Sequence, residues 1–270
     1  MINLFQVGVG SGGMTVLDIV SRDPRLTHVT IVDADYYLRH NVLRHLFPIA
    51  DVDARKATLA GQWLQDRRPD LEARIIVSRL EDDATKQVIE ASIAECDIAI
   101  CAADNEPTKY YFDALMRQHK KPWTLGEVLA GGIGGFVHWF IPHGPCYGCV
   151  ASHLRRSVTI DTGKAPDYSA PAGPVAETTI PASRASISVI ASLHAQITLQ
   201  LLDHGATYDP GFTSMLHTLE KVPGVFEEAY RTHRFRIPRS PECLVCRDIP
   251  IAGEDLDRAL NDALDRLKPL

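Results

Sequence analysis

The stretch INLFQVGVGSGGMTVLDIVSRDPRLTHVTIVDAD, residues 2–35, decides the fold. INLFQVG is a short apolar run closed by a glycine, which predicts a buried strand. GVGSGG follows, and MTVLDIVSRD then carries apolar residues at helical spacing. HVTIVDAD is a second, β-branched strand that runs into Asp33. Strand, glycine turn, helix, strand and acid in this order predict a βαβ nucleotide-binding unit. Gly8, Gly10 and Gly13 permit a tight turn and let the backbone approach phosphates at the helix N-terminus. Asp33 is then expected to accept hydrogen bonds from ribose hydroxyls. The bland reading of the same residues is a tight βα turn with a solvated aspartate.

Downstream the alternation continues. DARKATLAGQWLQDRRPD predicts an amphipathic helix, EARIIVS a strand, DDATKQVIEASIA a helix and CDIAICAAD a buried strand ending at Asp104. EPTKYYFDALMRQHK predicts a helix with Pro107 in its first turn, where the missing N–H does no harm. KPWTLGEV and GGFVHWFIP predict further strands, separated by AGGIGG. Strands alternating with helices predict an α/β, Rossmann-like open sheet, mostly parallel, with helices on both faces. One domain is expected over 1–270. Its nucleotide-binding core spans 1–142, a first CxxC and a long mobile loop span 143–183, and C-terminal helices with a second CxxC span 184–270. The loop reading rests on the Pro, Ala, Gly, Ser and Thr of residues 157–182. SRASISVIASLHAQITLQLLDHG predicts a buried helix with a glycine stop, HRFRIP a strand, and EDLDRALNDALDRLKPL a charged C-terminal helix.

A chain of 270 residues, 45% hydrophobic and 23% charged, has an ordinary globular composition. Its net charge of −6 argues against a general nucleic-acid binder. No apolar run in the sequence reaches the about 20 residues of a membrane span. MINLFQVGVGSGG lacks the basic start and cleavage site of a signal peptide. A cytoplasmic location is expected, with neither membrane nor nucleic acid as partner. Disulfides are not expected in a reducing compartment. Cys96 and Cys101 flank an apolar run and read as small core residues. The other four cysteines form two CxxC pairs, Cys146/Cys149 and Cys243/Cys246. Four thiolates suffice for a closed, structural tetrahedral Zn²⁺ site, although pairs so far apart must be brought together by the fold. A redox CxxC is the alternative. Against it, CYGC is expected to follow a strand exit rather than open a helix.

Ligands of such a sheet lie beyond the carboxyl ends of its strands, so Asp33 and Asp104 are expected to face one crevice. A second acid near phosphate oxygens is tolerable with a cation between them, and Mg²⁺ takes one or two carboxylates plus phosphates. Asp104 also reads as an N-cap of the helix that follows. The segment HNVLRHLFPIADVDARK, residues 40–56, adds Asn41, Arg44 and Lys56. A pyrophosphate can be held by backbone N–H groups alone. A triphosphate being cleaved carries more charge, which an arginine fork and a lysine point charge suit. Taken singly, Arg44 reads as a surface cation and Lys56 as a solvated helix residue.

The combination resembles the E1-like superfamily, which includes thiamine and molybdopterin sulfur-carrier adenylyltransferases and the adenylation domains of ubiquitin-activating enzymes. The resemblance runs from GVGSGG to CLVC. It implies a glycine loop at Gly8, Gly10 and Gly13, a ribose acid at Asp33, an N-x-x-R segment at Asn41 and Arg44, and a phosphate lysine at Lys56. Asp104 and Asn105 match the family's metal-side pair, and Cys146, Cys149, Cys243 and Cys246 its zinc ligands. The implied reaction uses ATP and Mg²⁺. The C-terminal glycine carboxylate of a ubiquitin-like or sulfur-carrier protein attacks the α-phosphate, pyrophosphate leaves, and an acyl-adenylate remains for transfer to a thiol. The resemblance also implies a crossover loop over 157–182 and a homodimer, or a pseudosymmetric heterodimer, paired through the sheet region. NVLRH is similar to the segment of bacterial E1-like proteins that work with E2-like and JAB-type peptidase partners. Two departures stand out. No cysteine lies between Cys149 and Cys243, where many members carry a nucleophile. Direct passage of the adenylate to an E2-like cysteine or a sulfur donor is the expectation that remains. The chain also starts at its first strand, whereas relatives often supply an arginine to the partner's site from an N-terminal helix. Two other readings stay open: a catalytically inactive E1-like scaffold or partner subunit, and an NAD(P)-dependent oxidoreductase.

Overall fold

β1 (Ile2–Val7) enters the glycine turn and α1 (Ser11–Val20), and β2 (Leu26–Val32) returns parallel to β1 with Val7 opposite Val32. The computed structural model describes residues 1–154 and 181–247. The loop expected over 157–182 lies almost wholly outside the described residues, and the C-terminal helix expected over 254–270 lies wholly outside them. After β2 come α2 (Lys56–Arg67), β3 (Glu72–Ile76), α3 (Lys86–Glu95), β4 (Ile98–Cys101), α4 (Glu106–Gln118), β5 (Trp123–Val128) and β6 (Gly134–Phe140). α5 (Tyr147–His153), α6 (Arg184–His204), β7 (Ser214–Thr218) and β8 (Thr232–Phe235) complete the described elements. The strands form one eight-stranded sheet in the order β3-β2-β1-β4-β5-β6-β7-β8. Pairing is parallel from β3 to β5 and antiparallel from β5 to β8. The chain direction across the sheet reverses between β1 and β4, which opens the crevice where such sheets bind ligands.

Alternation along the central strands builds a core on each face. Leu4 and Ile100 join Met14, Leu17, Leu64 and Ile190 on the side of α1, α2 and α6. Phe5, Val7 and Cys101 join Ile93, Phe112 and Met116 on the side of α3, α4 and α5. Each fully buried Leu, Phe or Met contributes about 1.5–3 kcal/mol, so these two layers hold the sheet in place. Cys96 and Cys101 are buried in the second layer, as their apolar surroundings predict.

Three local expectations are corrected. The helix forecast from Asp53 starts at Lys56, because Asp53 adopts a positive φ of 73° and its N–H bonds to the Tyr37 carbonyl. CYGC does open a helix: Cys146 is the N-cap of α5 and Cys149 lies within it. Asn105, not Asp104, caps α4, and its side chain accepts the Thr108 N–H at 2.9 Å. β7 carried no forecast, since SMLHT is short and one of its two neighbours, β6, lies far away in sequence. α6 is long and apolar enough to cross a membrane by composition, yet it packs against α1, β5 and β6 as a core helix.

Candidate active site and metal centre

Gly8 leaves β1 at φ +85°, and a Cβ there would meet the Ala102 carbonyl oxygen at 2.7 Å. Gly13 packs so closely on the Gly8 carbonyl that a side chain would force the turn open. Gly10 differs: a Cβ there meets no protein atom within 4 Å, so its backbone faces open space. Gly10 is the N-cap of α1, no side chain caps that end, and no acid occupies the first turn. Helix N–H groups left without partners in this way attract anions. Gln6, fully buried in β1, holds the turn shut by donating to the Gly13 carbonyl at 2.8 Å and the Gly8 carbonyl at 3.0 Å.

Asp33 stands immediately after β2. Its carboxylate accepts the Val9 N–H and the Asp35 N–H, each at 2.8 Å. Burial lifts its pKa; Lys56 and the two N–H donors pull the other way, while Asp35 adds to the rise. Lys56, the first residue of α2, is buried and pairs through Nζ with Asp35 at 2.8 Å. Burial disfavours its charge, but Asp33, Asp35 and Asp104 outweigh that penalty and hold its pKa above the ordinary value. Asp104 itself is exposed. Lys56 is thus the common neighbour of three carboxylates contributed by the ends of two strands.

The arginine segment lies against this turn. Asn41 is buried and accepts the Leu38 N–H at 2.9 Å, which sets the local bend. Arg44 follows on the same bend, half-buried, with its N–H bonded to the Asn41 carbonyl at 3.0 Å. His45 is buried under the turn, with Nε2 at 3.0 Å from the Val9 carbonyl. Burial lowers its pKa to about 4, so the ring is neutral at physiological pH.

Gly8, Gly10, Gly13, Asp33, Arg44, Lys56 and Asp104 are therefore gathered near one strand-end crevice, while Asn41 and Asn105 serve as local caps. Sequence reasoning missed Asp35, whose only signal is the second acid of DAD. It also missed Gln6, an amide near the end of an apolar run, and His45. Arg184, the first residue of α6, left no signal.

The four CxxC cysteines converge on the α5 side of the sheet. Their Sγ atoms all lie within 4.8 Å of one another. Cys146 is 3.7 Å from Cys149 and 3.6 Å from Cys243, and Cys149 is 3.5 Å from Cys246. A tetrahedron with Zn–S bonds of about 2.3 Å has sulfur–sulfur edges of about 3.8 Å, so the set fits a zinc ion in size and in chemistry. All four residues are buried, which suits a structural site. Tyr147 ties the cluster to α4: its N–H donates to Asp113 at 3.0 Å and its hydroxyl to Glu106 at 2.8 Å. Cys96 and Cys101 are different, since burial pushes each thiol up to about 12 and leaves it unreactive.

An open α/β sheet with a bare helix N-terminus at its switch point, a lysine among acids and a cluster of four cysteines that could hold a metal ion together define a nucleotide-binding class of fold. Residues 3–245 match the ThiF family, and the chain belongs to that family of E1-like adenylyltransferases. It is 25% identical over 256 residues to the SAMP-activating enzyme E1 of Haloferax volcanii, across 93% of this chain and 83% of that one. The crystal structure of E. coli MccB with ATP is similar at TM-score 0.66 and 17% identity, over 91% of this chain and 66% of that one. MccB in complex with N-formylated MccA is similar at TM-score 0.68 and 17% identity, over 91% and 67%. This chain spans about two thirds of the MccB length, and at this identity the likeness concerns the fold.

Proposed function

We propose that the protein acts as one adenylation domain over 1–270 and uses ATP to activate the C-terminal glycine of a ubiquitin-like or sulfur-carrier protein. The observation that carries this reading is the grouping of Lys56 with Asp33, Asp35 and Asp104 beside the uncapped N-terminus of α1. A carboxylate oxygen of the carrier attacks the α-phosphorus, a P–O bond forms, and the bond to the departing pyrophosphate breaks. Little covalent work falls to the protein, which must align the reactants and offset phosphate charge. The α1 N-terminus, Arg44 and Lys56 hold phosphate oxygens, and Asp33 takes the ribose, with Asn41 and Asn105 supporting the nucleotide. Exposed Asp104 is the residue suited to hold Mg²⁺, which neutralises triphosphate charge when bound. Cys146, Cys149, Cys243 and Cys246 would hold zinc, which supplies rigidity and takes no part in the reaction.

The acyl-adenylate passes to a thiol on a partner, an E2-like protein or a sulfur donor. Buried Cys96 and Cys101 are poor nucleophiles, and no other cysteine lies outside the metal cluster. The relative named as a SAMP-activating enzyme supports the choice of a protein carrier. Labelled pyrophosphate exchange into ATP, with small Gly-terminated proteins recovered on the immobilised chain, tests the reading. Exchange is expected with the cognate carrier and should fall by about 100-fold or more in Arg44→Ala, the scale of losing one preorganised electrostatic group. If Arg44→Ala exchanges as fast as wild type at saturating carrier and ATP, the arginine is a surface charge and the inactive-scaffold reading takes over.

A further inference from the structure

Arg184, the first residue of α6, reaches back across the glycine turn. Its Nη1 donates to the Thr15 hydroxyl at 2.9 Å, the Arg44 carbonyl at 3.2 Å and the Ser11 carbonyl at 3.4 Å. Thr15 in turn donates to the Ser11 carbonyl at 2.8 Å. One guanidinium nitrogen thereby bridges the first turns of the candidate phosphate-binding helix and the backbone of the candidate phosphate-binding arginine. A second tie sits one residue on. His45 Nε2 donates to the Val9 carbonyl at 3.0 Å, while Nδ1 accepts the Phe47 N–H at 3.4 Å. The ring lies 4.3 Å from that of Phe47 and 5.2 Å from that of Tyr37, centroid to centroid. A ring that donates at one nitrogen and accepts at the other is the neutral tautomer, held in one orientation. Residues 44 and 45 are therefore fastened to the glycine turn and α1, the first through Arg184 and the second directly.

The electrostatics of Arg184 point the same way. All three of its acceptors are neutral, and no carboxylate among the described residues forms an ion pair with it. Burial lowers its pKa, and the field of Asp18 only partly offsets this. A partly buried cation with no carboxylate paired to it among the described residues is costly unless its hydrogen bonds serve something else. Here the hydrogen bonds of that group hold the Arg44 carbonyl to the first turns of α1.

We propose that Arg184, with His45, is a positioning residue that clamps the Arg44 segment onto the first turns of α1, so that Arg44 meets the phosphates in a fixed place. The inference rests on the adenylation reading of this site. Calorimetric titration of the full chain with Mg·ATP, and with adenosine as the phosphate-free probe, tests it. Arg184→Ala should weaken Mg·ATP by about 10-fold and leave adenosine within about twofold, since misplacement of a charged group costs only where it is used. Arg184→Met keeps the side-chain stem and should behave alike, whereas Arg184→Lys should recover part of the loss. Because Arg184 acts through Arg44, Arg184→Ala should add less than about twofold on an Arg44→Ala background. Full additivity on that background would overturn the proposal, as would equal losses for ATP and adenosine. Unchanged ATP affinity in both Arg184→Ala and Arg184→Met, with Arg44→Ala impaired, would overturn the clamp alone. Unchanged affinity in Arg44→Ala would overturn the adenylation reading and the clamp with it.

Discussion

Lys56 is where the competing effects are most evenly set against each other. A buried ammonium is costly, and here three acids are needed to keep it charged. Lys56→Met keeps the stem but leaves Asp33 and Asp35 facing each other with no cation. Burial already holds the Asp33 pKa above its ordinary value, and without Lys56 it must rise further, so the folded variant binds more protons than the unfolded chain. Its stability is then retained at low pH and lost as pH rises through the raised pKa. Thermal unfolding should accordingly show a larger deficit against wild type at about pH 8 than at about pH 5. His45 runs in the opposite sense. Its pKa falls from 6.5 to about 4 on folding, so its contribution is complete above 6.5 and is lost as the pH drops towards 4. His194, lowered by burial to about 3, adds to the same acid slope. His45→Gln should flatten part of that slope in melting temperatures measured across the window, while the His194 part persists.

Among elements, the junction of α4 and α5 ties the cysteine cluster to the helix that follows Asp104. Tyr147, between two candidate zinc ligands, holds Glu106, which lies two residues beyond Asp104. Glu106 also binds Lys109 at 2.8 Å, and Lys109 binds Glu127 of β5 at 2.6 Å. About one zinc per chain is expected by metal analysis of the purified protein, because the thiolate set closes a tetrahedron. Changing any one of Cys146, Cys149, Cys243 or Cys246 to serine should lower both zinc content and melting temperature, since a closed site contributes folding energy. A well-folded, zinc-free preparation would count against this. The N-cap of α4 gives a smaller, separable effect. Asn105→Ala should destabilise by about 1 kcal/mol, and Asn105→Ser should restore most of it by keeping a capping oxygen. If ATP affinity falls equally in both variants, the amide serves the nucleotide as well as the helix.

At the scale of the whole molecule, the resemblance to E1-like adenylation domains leads us to expect a homodimer, and sedimentation should yield twice the 29.8 kDa chain mass. A fully active monomer would overturn that expectation. What the sequence determined by itself is local. The glycine turn, α1, Asp33 and the alternation of strands with helices were legible because each depends on residues a few positions apart. Periods of 2 and 3.6, a glycine that must take positive φ and a proline in a first turn are properties of short segments. The two CxxC pairs were legible for the same reason, as was their need for a shared partner. The tertiary structure alone decided what lies across gaps. Arg184 meets the Arg44 carbonyl across 140 residues, and Cys146 meets Cys243 across 97. β7 exists because β6 and β8 offer it hydrogen bonds on both sides, not because SMLHT favours a strand. Lys56 became a buried ion rather than a solvated helix residue because β2 ends beside the start of α2. Such contacts are set by strand order and by which helix faces the sheet, and residue spacing along the chain carries no record of either.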